Sequence, residues 1–461
     1  MKYFRRPDGV KFQPPALARS HVSDVPKLSR RAFVIIFSVS MTTAIGNNGL
    51  QSVLPSIGRA IGIADSMVAA IFSLSSLLWA ASSPFWARQL DLRGRKPLMI
   101  VGLAGFAVSM MLCGLVVSAG LADLSTPTIV FGFFLVCRAI YGLFGSATSP
   151  ASQTYIAERT CPAERTRWMS SIAGASSLGT VVGPVLAPLF IIGVFGFAGP
   201  LYAFALIATI MLIIVALYLD EAPILVTKPP LRSDKVARKQ VWLQSNFAPF
   251  IVYGFLLFVC QNALAQTLGF LIIDKTSKAL PELPSSALLH IAQGHIEIAM
   301  VGGALASLLA LWGLIPMFRM TPKVLLRWGA GLASLGSVLV ALSPNYATAI
   351  VGYALASLGF ALARPGFIVG ASLSVPMKDQ GRVAGAIGAI SGVNVLFAPF
   401  AVSLYEVFAP APFFLESVVL AGLLAYACLS PTLRNVGSRV TNHEQIKFRT
   451  ALESNDHDAG K

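Results

Sequence analysis

Four amides, two guanidiniums and two carboxylates stand out in this sequence, because their types and spacing within apolar surroundings imply chemistry. Asn47 and Gln51 lie four residues apart, and Asn262 and Gln266 repeat that spacing. Residues four apart share a helix face. Each pair therefore sets two neutral hydrogen-bonding groups side by side, either to hold a polar molecule or to bond across helices. Tyr141 and Asn394 add a hydroxyl and a further amide to the same set. Arg138 lies in the middle of an apolar run, where a cation costs about 2.5 kcal/mol or more and must face a cavity or a partner. Glu297, with His290, Gln293 and His295 near it in sequence, is suited to exchanging protons with a histidine, or is simply a wet acid. Glu416 falls near the start of its run and reads as an interfacial acid in contact with water. Arg364 reads as a gate or snorkelling residue. No P-loop, dinucleotide fingerprint or metal-ligand spacing occurs. The expectation is a protein that is not an enzyme, with no cofactor, no metal and no use of ATP.

A second constellation is the run Asp91-Leu92-Arg93-Gly94-Arg95-Lys96, a cluster of charges around a glycine between two long apolar stretches. Gly94 permits the positive backbone angle that a very short connection needs. Arg93, Arg95 and Lys96 suit a surface of phosphate head groups and helix C-termini, and Asp91 can pair with these cations or with a helix N-terminus. A third is Gly179, Gly183 and Pro184. The glycines share one helix face and let another backbone approach, while Pro184 removes a helix hydrogen bond and bends the chain.

The elements that position these residues are transmembrane helices. The 461 residues are 55% hydrophobic and 12% charged, with a mean hydropathy of +0.72. Soluble domains carry about 25% charged residues. The apolar residues come in runs of about 20, the length that spans a bilayer as a helix, and continuous runs favour helices over a barrel. Twelve spans are expected, near 32–56, 66–87, 98–119, 127–149, 168–193, 199–218, 248–273, 290–317, 324–343, 346–371, 383–405 and 411–430.

The formal charge of +15 does not point to nucleic acid, because of where it sits. With the N-terminus inside, 30 of the 35 Lys and Arg residues fall in the tails and alternate loops on one side, which is the positive-inside pattern. It places both termini in the cytoplasm of a multi-pass membrane protein, with the lipid bilayer as its main partner and no nucleic acid. The five cysteines show neither disulfide nor zinc spacing. The organisation reads as a basic tail (1–31), a six-helix bundle (32–218), a cytoplasmic linker (219–247), a second six-helix bundle (248–430) and a C-terminal tail (431–461).

The bundles repeat each other. An offset of 215 residues places Asn47 on Asn262, Gln51 on Gln266, Pro150 on Pro365, Glu164 on Asp379, Arg167 on Arg382 and Pro184 on Pro399. Lys96 falls on Lys323 after a short slip, and Arg138 falls on Tyr353. The cation at 138 is thus particular to the first half.

Over residues 32–430 the chain resembles the major facilitator superfamily of secondary transporters. The run Asp91 to Lys96 is similar to that family's loop between the second and third helices, with Ala87 and Leu92 departing from its usual residues. Arg138, Tyr141 and Gly142 resemble the fourth-helix motif of proton-linked members, and Gly179, Gly183 and Pro184 the fifth-helix motif of drug–proton antiporters. The resemblance implies an all-α integral membrane fold, twelve helices in two pseudo-symmetric bundles, with substrate bound between them. It implies gating by Asp91, Gly94, Arg95, Lys96, Gly179, Gly183 and Pro184. Proton coupling falls to Arg138 and Glu297, and the substrate cavity to Asn47, Gln51, Tyr141, Asn262, Gln266 and Asn394. The activity implied is export of a small amphipathic molecule in exchange for protons, by a monomer in a bacterial inner membrane. An uptake carrier on the same fold and a non-transporting membrane sensor are the alternatives.

Overall fold

A computed structural model of the chain describes residues 28–160, 162–191, 193, 195–220, 247–374 and 380–434. The tails, most of the 219–247 linker, Cys161 and Asp379 lie outside those residues. Twelve helical segments follow one another: α1 Arg30–Ile61, α2 Asp65–Arg93, α3 Arg95–Leu121, α4 Pro127–Arg159, α5 Pro162–Leu186 and α6 Gly199–Tyr218, then α7 Ala248–Ala279, α8 Ser285–Phe318, α9 Pro322–Ala341, α10 Tyr346–Leu373, α11 Gln380–Val407 and α12 Ala411–Leu429. Among the described residues there is no strand. Ten of these helices are long and apolar enough to cross a membrane, and α5 and α11 carry the shorter apolar stretches Gly174–Phe190 and Asn394–Val407.

The order of spans expected from hydropathy is the order found. The ends differ where polar residues find partners within helices. α1 runs past 56 to include Arg59, and α7 runs past 273 to include Asp274 and Lys275. α8 begins at Ser285, so His290, Gln293, His295 and Glu297 are all helical. The loop expected over 88–97 shrinks to one residue: α2 continues through Arg93, α3 starts at Arg95, and Gly94 between them has φ 85°. That angle is open to glycine at no steric cost. At the opposite end Gly62, also at φ 85°, closes α1 before α2 begins. Gly62 and Gly94 thus mark the two opposite ends of the bundle.

Each half packs around long buried helices. α1 lies along α5 and α3 along α4 and α6, while α9 lies along α10 and α12, and α7 against α10 and α12. The halves meet where α1 touches α7 and α8, α2 touches α11, and α5 touches α8. The outward faces stay apolar, with Phe133 and Val136 on α4, Leu206 and Leu217 on α6, Leu309 and Trp312 on α8 and Val418 on α12 all exposed. Such faces suit hydrocarbon, where backbone polar groups are satisfied inside each helix.

Candidate functional site

Arg138 is enclosed by the first half, at 1% exposure. It sits on α4 just before a π-helical turn, Tyr141–Gly145, a local widening found frequently at functional sites. Side chains of α2 take up the carbonyls around it. Ser75 Oγ donates to Arg138 O at 3.1 Å, Ser82 Oγ to Gly142 O at 3.1 Å, and Trp86 Nε1 to Leu143 O at 2.6 Å. The backbone that carries Arg138 is therefore pinned to α2. Its guanidinium Nη2 donates to Asn47 Oδ1 on α1 at 2.8 Å. The Phe72 and Tyr141 rings flank it with centroids at 5.3 and 4.8 Å, within reach for cation–π attraction. Nε and Nη1 are buried with no hydrogen-bond partner among the described residues. Tyr141 is itself buried against Trp79 and Phe106.

The repeated amide in the second half has a different partner. Asn262 Nδ2 on α7 donates to Asn394 Oδ1 on α11 at 2.6 Å, and Asn394 Nδ2 donates to Ile390 O at 3.0 Å. Both amides foreseen as cavity groups thus also bond across helices. Gln51 is half-buried, and Gln266 is buried with its Nε2 unpartnered among the described residues. Arg364 on α10 is exposed, and its guanidinium lies 5.3 Å from the ring centroid of Phe258, one turn before Asn262.

The expectations for the acids need correction. Glu297 does not pair with histidine. Its Oε1 accepts from Gln293 Nε2 at 2.9 Å, one turn away on the same helix. His295 instead contacts Thr276 Oγ1 at 3.1 Å and stacks on Tyr346, and His290 stacks on Phe197. Gln293 reaches into the other half, accepting from Ser56 Oγ at 2.6 Å and donating to Ser52 O at 3.2 Å. Glu416, expected at a wet rim, is 4% exposed, enclosed where α12 packs on α7 and α9. The short helix turn that separates it from the start of α12 is covered by these neighbours, which sequence position alone does not reveal.

Arg95 meets one half of its expected setting, the C-terminal carbonyls of a helix, and not the other. It does not face head groups but is 1% exposed, ion-paired with Glu158 at the end of α4 and donating to Leu90 O at 3.0 Å. Arg95 thus ties the α2–α3 corner to α4. Lys96 is half-buried. Asp91 belongs to α2 through its backbone, and its side chain lies outside the described residues. The glycine face of α5 meets α1 directly. A Cβ on Gly179 would lie 2.4 Å from that of Ala44, and one on Gly183 would lie 2.4 Å from Ile45 O and 2.8 Å from Gly49 N.

A polar cluster at the Gly62 end was not foreseen. Arg59, in the last turn of α1, is bidentate to Asp65 at the start of α2, with Nε–Oδ1 at 2.6 Å and Nη2–Oδ2 at 2.5 Å. Its Nη1 lies 3.1 Å from Asp274 Oδ1 on α7. Tyr405 Oη on α11 donates to Asp274 Oδ2 at 2.5 Å, and Ser66 N on α2 donates to Glu406 Oε1 at 2.8 Å. Nearby, Ser73 Oγ of α2 donates to Val395 O of α11 at 2.7 Å. These contacts and the Gln293 bridge join the two halves and gather toward the Gly62 end. The signal was present in the sequence: the 215-residue offset places Arg59 on Asp274. Positions related by the repeat meet across the pseudo-two-fold axis, and here they carry opposite charges.

Comparison with known proteins adds a family. The model described as Major Facilitator Superfamily matches residues 36–399. Among curated relatives, "Multidrug resistance protein 2" of Bacillus subtilis (strain 168) is 31% identical over 184 residues, covering 39% of this chain and 42% of the relative. "Tetracycline resistance protein, class G" of Vibrio anguillarum is 25% identical over 195 residues, 42% of this chain and 46% of the relative. The chain thus spans less than half the length of these first relatives, although "Multidrug resistance protein MdtG" of Proteus mirabilis is matched at 22% identity over 68% of this chain and 73% of the relative. Among solved structures, a POT family transporter in complex with 5-aminolevulinic acid superposes with TM-score 0.66 at 14% identity, covering 88% of this chain and 98% of the other. A bacterial homolog of the human lysosomal transporter Spinster, inward-facing and occupied, gives 0.64 at 12% identity over 86% and 95%. At such identities the likeness is one of fold.

Proposed function

This chain belongs to the Major Facilitator Superfamily, and from that premise we propose that it is a secondary transporter that exports a small amphipathic molecule in exchange for protons. The observation that carries the reading is the polar seal between the halves at the Gly62 end, made by Arg59, Asp274, Tyr405, Ser66, Glu406 and Gln293. A seal built from ion pairs and hydrogen bonds between two rigid bundles can be broken and remade. That is what alternating access requires of one face. The positive-inside distribution of Lys and Arg makes the Gly62 end the outer face. The state described is then one shut to the outside. The curated relatives named for drug resistance support the direction, export.

Glu297 is the proton site of this proposal. It is half-buried and bonded to Gln293, which in turn holds Ser52 and Ser56 on α1. An ionised carboxylate only accepts hydrogen bonds, whereas a protonated one also donates. A proton on Glu297 therefore changes what Gln293 can offer to α1. Asn47, bonded to Arg138, lies on that same helix. α1 links the proton site to the cation; Pro184 near the far end of α5 would supply a hinge, and the Gly94 corner the gate at the inner end. The substrate would lie between the halves, near Asn47, Gln51, Tyr141, Asn262, Gln266 and Asn394.

The test uses inverted membrane vesicles with an acid interior, a fluorescent pH reporter and a panel of aromatic amphiphiles that includes a tetracycline. Export predicts that an accepted compound discharges the pH gradient and accumulates inside the vesicles. Accumulation only in right-side-out vesicles would reverse the direction to uptake. Silence across the panel in both orientations would count against transport altogether.

A further inference from the structure

Hydrogen-bond polarity at the two repeated amides specifies a ligand more narrowly than an amide-lined cavity does. An arginine side chain can only donate. The contact from Arg138 therefore fixes Asn47 with its Oδ1 toward α4, which leaves Nδ2, a donor, for anything between the halves. In the second half the logic runs the other way. Asn394 Nδ2 is committed to the carbonyl of Ile390, so its Oδ1 faces Asn262, and Asn262 must answer with Nδ2. The group left on Asn262 is Oδ1, an acceptor. These assignments follow from partners whose roles cannot be exchanged, so they do not depend on how the amides were oriented.

The two groups stand at one level. α1 and α7 touch where a Cβ on Gly269 would lie 2.5 Å from Pro55 Cγ. Asn47 precedes Pro55 by eight residues and Asn262 precedes Gly269 by seven. At 1.5 Å per residue both lie roughly 10–12 Å from that touch point, toward the Gly94 end. Positive charge stands on both sides there. Arg138 lies behind Asn47 with Nε and Nη1 unpartnered among the described residues, and the Arg364 guanidinium lies over Phe258, a turn from Asn262. Three carboxylates of the inner helices are engaged elsewhere, Asp65 and Asp274 with Arg59 and Glu297 with Gln293, while Glu416 is enclosed where α12 packs on α7 and α9, its two oxygens without a hydrogen-bond partner among the described residues. A buried guanidinium with idle donors favours an anion brought to it, and its bond to Asn47 strengthens the Nδ2–H that an anion would meet.

Resting on the transport reading above and refining its substrate, we propose that the site between α1, α4, α7 and α11 takes an aromatic amphiphile with a carboxylate at one end and a hydroxyl at the other. The carboxylate accepts from Asn47 Nδ2 with Arg138 behind it, and the hydroxyl donates to Asn262 Oδ1. The aromatic body lies between the two amides. Lipophilic cations are excluded by the two guanidiniums.

The experiment measures binding and transport separately on the full chain in lipid nanodiscs and in proteoliposomes. The probes are 6-hydroxy-2-naphthoic acid, its methyl ester, 2-naphthoic acid without the hydroxyl, and a 6-hydroxynaphthyl-2-methylamine. The hydroxy acid is expected to bind about ten-fold or more tighter than the amine and the ester, a difference of about one decade in Kd. Asn47→Leu, which leaves Arg138 in place, should bring acid and ester within about two-fold of each other, and Asn262→Leu should remove the advantage of the hydroxyl alone. Arg138→Gln is read alongside, with thermal unfolding of each variant to confirm that it is folded. Amine binding equal to or tighter than acid binding, an acid preference that survives Asn47→Leu, or no binding by any probe would each overturn the proposal. Binding with the expected pattern but no movement of the acid in proteoliposomes would leave this assignment standing and sink the transport reading instead.

Discussion

The seam between α1 and α5 and the seam between α7 and α11 occupy equivalent places in the repeat, yet they are held by different physics. The offset that pairs Asn47 with Asn262 also places Gly179 on Asn394 and Gly183 on Ala398. In the first half those positions are glycines pressed against Ala44, Ile45 and Gly49. In the second half they are an amide bonded to Asn262 and a buried alanine. Close backbone packing on one side goes with an Asn47 that has no partner on α5 among the described residues and turns to Arg138 on α4. On the other side the larger Asn394 captures Asn262. The duplication kept the amide and changed what it faces, so a symmetric fold acquired a donor on one side and an acceptor on the other.

The sharpest way to break this comparison is steric. Gly183→Val would force a side chain against Ile45 O and Gly49 N, which are backbone atoms that cannot rotate away. Overpacking typically costs about 1–3 kcal/mol, and with backbone on both sides the cost should fall at the upper end, so the variant should accumulate poorly or lose much of its thermal stability in detergent. Ala398→Gly, the mirror-image change in the second half, should cost only about 1 kcal/mol. Equal tolerance at both positions, read by fluorescence-detected size exclusion and thermal unfolding, would mean that the two seams are not mechanically different.

Next in size is the loss of the cation. Arg138→Leu leaves Asn47 Oδ1 without its donor and removes the only guanidinium bonded to it among the described residues. Substrate-driven discharge of a pH gradient in inverted vesicles is expected to fall by about two orders of magnitude, roughly 2.7 kcal/mol. Tyr353→Phe, at the repeat-equivalent place on α10, should stay within about three-fold of the unmodified protein, below about 1 kcal/mol. Comparable losses at the two positions would end the case for a functional cation peculiar to the first half.

How much of this was legible in the sequence follows from the kind of information each feature carries. Span order came through, with ten of the twelve helices long and apolar enough to cross and two carrying shorter apolar stretches, because hydrocarbon demands about twenty apolar residues per crossing. The role of Gly179 and Gly183 as a close-approach face was legible because spacing alone puts them together. Partners were not. Nothing in the local sequence says that Arg95 turns inward to Glu158 rather than outward to lipid, or that α12 is covered at Glu416 by α7 and α9. Both depend on neighbours far along the chain. The π-helical turn after Arg138 is equally silent in sequence, since the α2 groups that brace it lie some 60 residues upstream. Arg59 and Asp274 form the instructive intermediate case. Each looks like an ordinary charge at a span end, and only the repeat offset connects them.

A smaller effect tests the latch that those two charges form. Asp274→Asn keeps the size and the hydrogen bond to Tyr405 within reach but removes the attraction to Arg59, which is partly exposed. Because Arg59 keeps its bidentate bond to Asp65, the loss in stability should be modest, about 1 kcal/mol. The sign of the conformational effect is the informative part. Accessibility to a membrane-impermeant thiol reagent, at a cysteine introduced in place of Gln51 in a chain lacking its native cysteines, should rise from the Gly62 face. No change in labelling would mean that the ion pair decorates this end rather than closing it.

The smallest expected term, the coupling of Asn262 to Asn394, asks whether the two repeated amides are energetically as well as geometrically unlike. A double-mutant cycle over Asn262→Leu and Asn394→Leu should return a coupling near about 0.6 kcal/mol, the average for polar pairs between membrane helices. The corresponding cycle over Asn47→Leu and Arg138→Leu should return about 1.5–3 kcal/mol, because one member is charged. Stability measured by steric trapping or thermal unfolding in a single detergent resolves a gap of that size. If the neutral pair proved as strongly coupled as the charged one, the first-half cation would add nothing to the bond that orients Asn47. The donor left on Asn47 would then be no better held than the acceptor left on Asn262, and the polarity between the halves would rest on geometry alone.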